Sequence, residues 1–271
     1  MNTTKLDLNK LHPFAGHPYK VKDNEEMDAL VESIRMNGIL TPLIVRPLDN
    51  GEYEVVSGHR RLYAAQKAGL ETVPAIIMPM SRDGAAVAVV DSNLHREHLL
   101  PSEKAFAYKL KMEALHHQGT SGQVGQKWSR DEVSDTDSGR QVQRYIRLTH
   151  LIPSILSLVD EGQIAFTPAV ELSYLTEQEQ QELAEEMAYA DATPSLSQAQ
   201  RMREISRQGR LTTDVIYAIM SEEKANQKER LKIPMERIRR FFPKRYTTAQ
   251  IEEAVVKLCE RDYRRRTDRD R

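Results

Sequence analysis

Apolar residues follow two rhythms along this chain, and the change of rhythm near residue 80 is its main organising feature. Before it, short alternating or β-branched runs are interleaved with helical stretches. Residues 5–8 alternate like an edge strand, and residues 24–36 place Met27, Leu30, Val31 and Ile34 on one helical face, with Gly38 as the stop. Residues 42–46 and 53–56 read as strands, and Asp49-Asn50-Gly51 between them is a strong turn, so the pair predicts a hairpin. Residues 62–68, closed by Gly69, are helical, and residues 73–78 supply a further buried strand. Beyond that point helical spacing dominates. Residues 85–93 form one helix, and residues 103–117 form another, with Ser102 as its cap and Phe106, Leu110 and Leu115 along one side. Residues 119–127, rich in Gly, Ser and Gln, read as a flexible connection. A helical block follows over 129–208, broken at Pro194 and ended by Gly209. A last block covers 213–221, 234–242 and 247–263, where Thr247 and Gln250 fit a capping box.

Composition narrows the class. The chain has 271 residues, 29% charged and 39% hydrophobic, enough for two or three small domains with modest cores. No apolar run approaches the roughly 20 residues of a membrane span, residues 1–6 lack the apolar core of a signal peptide, and the single cysteine, Cys259, excludes an internal disulfide or a cysteine metal cluster. The expected compartment is the cytoplasm. The net charge of −1 conceals an asymmetry: residues 224–271 hold 16 Lys and Arg against 8 Asp and Glu, a local +8, which leaves −9 on residues 1–223. A basic tail of this kind suits either nucleic acid or simple solvation.

Four segments carry candidate chemistry. Ser57-Gly58-His59-Arg60-Arg61 joins a strand to a helix, where a glycine lets backbone approach a ligand, the first-turn N–H groups favour an anion, and two arginines add bidentate donors. An ordinary helix start with solvated arginines gives the same pattern. Gly38 and Pro42 bracket a tight loop whose backbone and Thr41 hydroxyl can meet a base edge, or merely link helix to strand. Asp91-Ser92-Asn93-Leu94-His95-Arg96 ends a helix; Asp91 and Asn93 offer oxygens to a hard cation such as Mg²⁺, and Arg96 offers a phosphate contact. Further on, Ser138-Gly139-Arg140-Gln141-Val142-Gln143-Arg144-Tyr145-Ile146-Arg147 sets Arg140, Arg144 and Arg147 on one helical face, with Gln141 and Gln143 in or near the first turn for bidentate base contacts. An amphipathic helix with a solvated arginine edge is the competing reading. His116, His117 and His150 lack a third ligand at metal spacing, Trp128 reads as a packing anchor, and Cys259 lies on the stripe Ile251, Val255, Leu258 as a small core or interface residue.

In order and spacing, the Gly-x-x-x-Pro loop, the Gly-x-Arg-Arg turn and the Asn-x-x-Arg segment resemble the CTP-binding domain of ParB-type partition proteins, and Leu100-Pro101-Ser102-Glu103 is similar to the helix start that follows it there. The resemblance covers residues 5–205 and extends to the family's DNA-recognition helix over 138–148, with Leu151-Ile152-Pro153 after it and residues 130–133 as the supporting helix. It implies a dimeric, CTP-gated clamp on double-stranded DNA acting in plasmid, mobile-element or chromosome segregation, with a ParA-like ATPase as partner and a nucleoid- or plasmid-associated location. It implies that Gly38, Thr41 and Pro42 face the cytidine, that Gly58, His59, Arg60 and Arg61 hold the phosphates, that Asn93 and Arg96 meet the metal and triphosphate, and that Ser138, Arg140, Gln141, Gln143, Arg144 and Arg147 meet DNA.

Two departures stand against that pattern. The family has glutamate where His59 stands, and a further glutamate where Ser92 stands, so CTPase activity is expected to be weakened while nucleotide binding, which depends on the glycine and arginines, is less affected. A transcriptional regulator of the same fold, or an adaptor, is the alternative; sulfiredoxin, whose fold is related, requires a cysteine beside the phosphate site, and Cys259 lies far along the chain from it. The expected fold is α+β, with a small α/β domain over 1–98, an all-α helix-turn-helix domain over 99–210 and a basic helical module over 211–271.

Overall fold

A computed structural model of the chain describes residues 2–96, 98–121, 133–134, 137–222, 235–243 and 245–267. It divides into two units, Met1–Glu222 and Glu223–Arg271.

The first unit begins with a mixed sheet. Its strands are β1 (Thr4–Asp7), β2 (Leu11–Pro13), β3 (Leu43–Pro47), β4 (Tyr53–Ser57) and β5 (Thr72–Ile77), in the order β1-β5-β3-β4-β2. The expected hairpin is β3–β4: Val45 lies opposite Val55, the Leu48 N–H donates to the Glu52 carbonyl at 2.8 Å, and Gly51 takes φ 83° in the turn. β5 joins β3 in parallel and β1 closes that edge antiparallel, Leu6 opposite Val73. The strand absent from the sequence reading is β2, which pairs with β4 in parallel. Only Leu11 of its three residues is buried, too short a pattern for alternation to reveal.

Because successive strand residues face opposite ways, β4 serves two cores at once. Val55 joins Leu43, Val45 and Val73 on one face, under Leu62 and Ala65 of α2 (His59–Ala68). Val56 faces Phe14, Tyr19 and the alanines and valines of α3 (Arg82–Leu94). Helix α1 (Glu25–Asn37) lays Met27, Val31 and Ile34 on Ala64; Asn24 accepts the Met27 N–H at 3.2 Å to start it, and Gly38 at φ 69° ends it.

Helix α4 (Pro101–Ser121) departs from expectation in three ways. It starts at Pro101, so Ser102 sits inside the first turn rather than capping it, and its N–H and hydroxyl both donate to Asp160, at 2.9 and 2.6 Å. Phe106 faces outward, while Ala105, Tyr108 and Leu115 are buried. The helix also runs on to Ser121, taking in the first residues of the anticipated connection; residues 122–127 and Trp128 lie outside the described set. Leu110 and Leu115 of the expected side still pack inward, and the inner face also takes Lys111, which is buried and reaches Asp91 at 2.6 Å.

Helices α5 (Gly139–Arg147), α6 (Pro153–Asp160), α7 (Phe166–Leu172), α8 (Glu177–Ala190), α9 (Leu196–Arg207) and α10 (Thr213–Met220) share one core built from Leu148, Ile155, Leu172, Leu183, Met202, Ile216 and Ile219. Thr176 with Glu179 and Ser195 with Gln198 form capping boxes that set the starts of α8 and α9. The second unit holds α11 (Met235–Arg239) and α12 (Thr248–Thr267). Thr247 and Gln250 exchange the anticipated capping bonds at 2.9 and 3.4 Å, Ile251 is buried, and Cys259 is exposed rather than packed in a core.

Candidate nucleotide pocket and nucleic-acid face

The pocket is built on the junction after β4. The ladder between β3 and β4 shifts register between Ile44 and Val45, so the two strands diverge in alignment just before Ser57. Gly58 follows at φ 108°, ψ 24°, a conformation open to glycine, and α2 begins at His59. Gly58 has no side chain to cap the helix, so the first-turn N–H groups carry no side-chain cap and present the positive end of the dipole. A cavity of about 240 Å³ opens over this junction. Lys20, Arg60, Arg61 and Arg96 line it, and among the described lining residues there is no carboxylate. Such a wall selects an anion.

The cations differ in how far they are already engaged. Arg60 reaches Glu26 of α1 at 3.3 Å, but both are exposed and such a pair is weak. Arg61 turns inward: its Nη1 donates to the carbonyls of Thr41 and Pro42, the latter at 2.9 Å, and burial lowers its pKa from a value so high that the guanidinium stays charged. Gly38, Thr41 and Pro42 therefore do not line the cavity; the loop they form is tied to it through Arg61. Arg96 lies 5.8 Å from the ring of Tyr19, whose hydroxyl donates to the Val90 carbonyl at 3.3 Å.

His59 lines the cavity as a neutral group. Its ring stacks on His17 with centroids 3.6 Å apart, and its Nε2 accepts the Phe14 N–H at 3.3 Å. Burial, with His17 and Arg96 nearby, pushes its pKa down to about 3, against a weaker opposing bond to the Val55 backbone. The His17 pKa is lowered as well, again chiefly by burial. In the unfolded chain His59 titrates near 6.5, so the folded state binds fewer protons across the interval between the two values. Stability contributed by neutral His59 is complete above pH 6.5 and is lost as the pH falls toward 3. Between pH 6.5 and 5 this residue alone is expected to lower unfolding free energy by about 2 kcal/mol. Urea titrations of wild type and His59→Phe at the two pH values check this: the variant should show the smaller drop, and parallel drops would contradict it.

Asn93 and Ser92 also line the cavity, whereas Asp91 points to Lys111 instead. Asn93 donates its amide hydrogens to the Val89 carbonyl at 2.8 Å and to Ser92 Oγ at 3.1 Å, which leaves its carbonyl oxygen for a ligand. That oxygen suits a hard cation, but among the described residues no cluster of three His, Cys, Asp or Glu side chains could hold one unaided. His17, Tyr19, Lys20 and Val21 form a wall that sequence reasoning missed. Its position depends on β2 and on buried Glu54, which accepts the Ala15 N–H at 2.9 Å and pairs with Arg46 at 2.6 Å; no local pattern announces either.

A second face gathers on α5. Ser138 caps the helix by accepting the Gln141 N–H, Gly139 and Val142 turn inward toward α4, and Arg140, Gln143, Arg144 and Arg147 line a groove of about 330 Å³ with His150 and Tyr174. Gln141 is held aside, its amide oxygen accepting from Arg144 at 3.2 Å. Arg144 also donates to Thr167 at 3.1 Å. Arg147 is largely a brace: it donates to the Ser173 carbonyl at 2.7 Å and stacks 4.1 Å from the Tyr174 ring centre. The supporting helix expected over 130–133 lies outside the described residues except for Val133, which is buried beside Tyr108 and Val142.

Asp137, just before the cap of α5, is neutralised by partners within the fold. Its carboxylate accepts from Lys104 at 2.6 Å and from the Tyr108 hydroxyl at 2.6 Å. Burial is the largest single influence and opposes charge on both Lys104 and Asp137, but their mutual hydrogen bond, the Tyr108 hydroxyl and the surrounding charges together outweigh it, raising the lysine's pKa and lowering the aspartate's. Asp137→Ala leaves the part-buried Lys104 ammonium and the buried Tyr108 hydroxyl without that acceptor and is expected to cost about 1–3 kcal/mol. Thermal unfolding checks it, and an unchanged midpoint would contradict it.

Residues 1–94 match the ParB N-terminal domain family. The chain is 30% identical over 160 residues to a probable chromosome-partitioning protein ParB from Coxiella burnetii, covering 59% of this chain and 52% of that one. It is 30% identical over 179 residues to a nucleoid occlusion protein from Listeria innocua, covering 65% and 59%. It thus spans only between half and three fifths of these curated relatives. A crystal structure of C-terminally truncated ParB from Caulobacter crescentus complexed with CTP-γ-S is 26% identical, covers 69% of this chain and 99% of its own, and has a TM-score of 0.33. Among the described residues no helix is long and apolar enough to cross a membrane.

Proposed function

We propose that this chain is a nucleotide-responsive, double-stranded-DNA-binding protein of ParB type that acts in segregation of a plasmid, mobile element or chromosome. One observation carries the reading: four cationic side chains and an uncapped helix start surround one cavity with no carboxylate among its described lining residues. A triphosphate fits that wall, and kinship with partition proteins favours CTP. Gly58, Arg60, Arg61 and Arg96 hold the phosphates; Mg²⁺ enters with the triphosphate, and the Asn93 carbonyl oxygen is its protein ligand. Hydrolysis is weak, because His59 is neutral and Asp91 is engaged by Lys111. Arg140, Gln143 and Arg144 meet DNA from α5, Ser138 fixes the helix start, and Arg147 positions the helix. The chain acts as a homodimer in the cytoplasm, since one short recognition helix reads too little sequence for tight binding, and a ParA-like ATPase is its partner.

Fluorescence anisotropy on labelled duplexes, with each of the four ribonucleoside triphosphates, tests this. The reading expects duplex binding that falls with salt and that CTP alters most. Duplex binding indifferent to every nucleotide supports the second reading, a regulator of the same fold without a switch, which the neutral His59 favours.

A further inference from the structure

The first of the four cavity cations, Lys20, belongs to none of the segments singled out from the sequence. We infer that Lys20 is an additional anion ligand of this cavity, and that Asp160 on α6 competes with the bound anion for it; this rests on the nucleotide reading of the same site. The Lys20 side chain is 63% exposed and its Nζ lies 3.4 Å from Asp160 Oδ2, whereas the Asp160 side chain is only 8% exposed. A long contact from an exposed ammonium is weak and readily exchanged.

The neighbouring bonds decide which partner moves. Asp160 is fixed at the start of α4, Oδ1 accepting the Ser102 N–H and Oδ2 the Ser102 hydroxyl. The Lys20 backbone is fixed as well: its N–H donates at 2.9 Å to Glu103, whose other oxygen accepts the Leu100 N–H at 3.1 Å. What remains free is the four-carbon stem of Lys20, which swings its charge between carboxylate and cavity. When an anion takes the ammonium, the carboxylate on the last residue of α6 loses its counter-charge at the end of a helix that is already negative. Helix α6 shares its core with Leu148, which directly follows α5, so occupancy of the cavity alters the charge balance beneath the DNA-facing helix.

The test is calorimetric titration of the full chain with CTP and, separately, with inorganic tripolyphosphate, using Lys20→Gln, Asp160→Asn and the double variant. Asparagine keeps both bonds to Ser102, accepting its N–H and donating to its hydroxyl, and removes only the charge. Lys20→Gln is expected to weaken both ligands about tenfold, the scale of one charge-assisted hydrogen bond. Asp160→Asn is expected to tighten both severalfold, and the double variant to match Lys20→Gln. Wild-type affinity in Lys20→Gln, an exposed position whose replacement leaves the fold intact, overturns the inference, as does weaker binding in a folded Asp160→Asn. Absence of any binding by the wild type overturns the nucleotide reading along with it, whereas wild-type binding indifferent to Lys20 overturns this inference alone.

Discussion

Gly58→Ala is expected to reduce CTP affinity more than a hundredfold while leaving a folded protein. At φ 108° an L-residue carries backbone strain of about 1–3 kcal/mol. The new Cβ would also stand 3.1 Å from Leu43 Cγ and 3.2 and 3.3 Å from the Arg61 guanidinium. Leu43 is fully buried, and Arg61 is anchored on the carbonyls of Thr41 and Pro42, so neither retreats freely. Relief comes from rotating the turn, which displaces the first-turn N–H groups and the guanidinium together. Gly69 supplies the control: it too has a positive φ, 75°, but nothing lies within 4 Å of its missing Cβ. Gly69→Ala should lower the melting temperature through backbone strain and leave affinity intact. Calorimetry paired with thermal unfolding separates the two variants, and wild-type affinity in Gly58→Ala would contradict the pocket described here.

Arg140→Ala is expected to weaken duplex DNA binding about 10- to 100-fold and to reduce the salt slope of log K by about one, with no change in melting temperature. The Arg140 side chain is exposed and, among the described residues, makes no hydrogen bond or ion pair, so its charge is available. Arg147→Ala should do the reverse in part, lowering the melting temperature because the Ser173 bond and the Tyr174 stack are lost. Among the described residues its buried Nε has no partner, consistent with a side chain fixed by its surroundings rather than by a ligand. Equal salt slopes for wild type and Arg140→Ala would remove α5 from the DNA contact.

Local chemistry made much of this architecture legible. The Asp49-Asn50-Gly51 turn, the Gly38 stop and the Thr247–Gln250 cap act within a few residues, and each appears where the sequence placed it. The same holds for the Ser57-Gly58 junction, because a glycine between a strand and a helix has few structural alternatives. What stayed hidden depends on distant partners. Lys111 joins the buried side of α4 beside an apolar stripe, and Asp91, twenty residues earlier, receives its charge. Ser102 is a cap by residue type, yet it bonds Asp160, which is 58 residues away. The wall from His17 to Val21 exists because Glu54 and Glu103 hold its backbone, and no periodicity within that segment reports either contact. In the same way Arg147 shares a helical face with Arg140, but only the packing of α7 against α5 turns one into a brace and leaves the other free.

The central claim is that the cavity over Gly58 holds a nucleoside triphosphate through its cationic wall. Isothermal titration of the chain with CTP and Mg²⁺, repeated at rising salt, tests it most directly. One saturable site per chain, weakened as salt rises and lost in Gly58→Ala, is the predicted result. No saturable binding at millimolar CTP, with or without Mg²⁺, would contradict it.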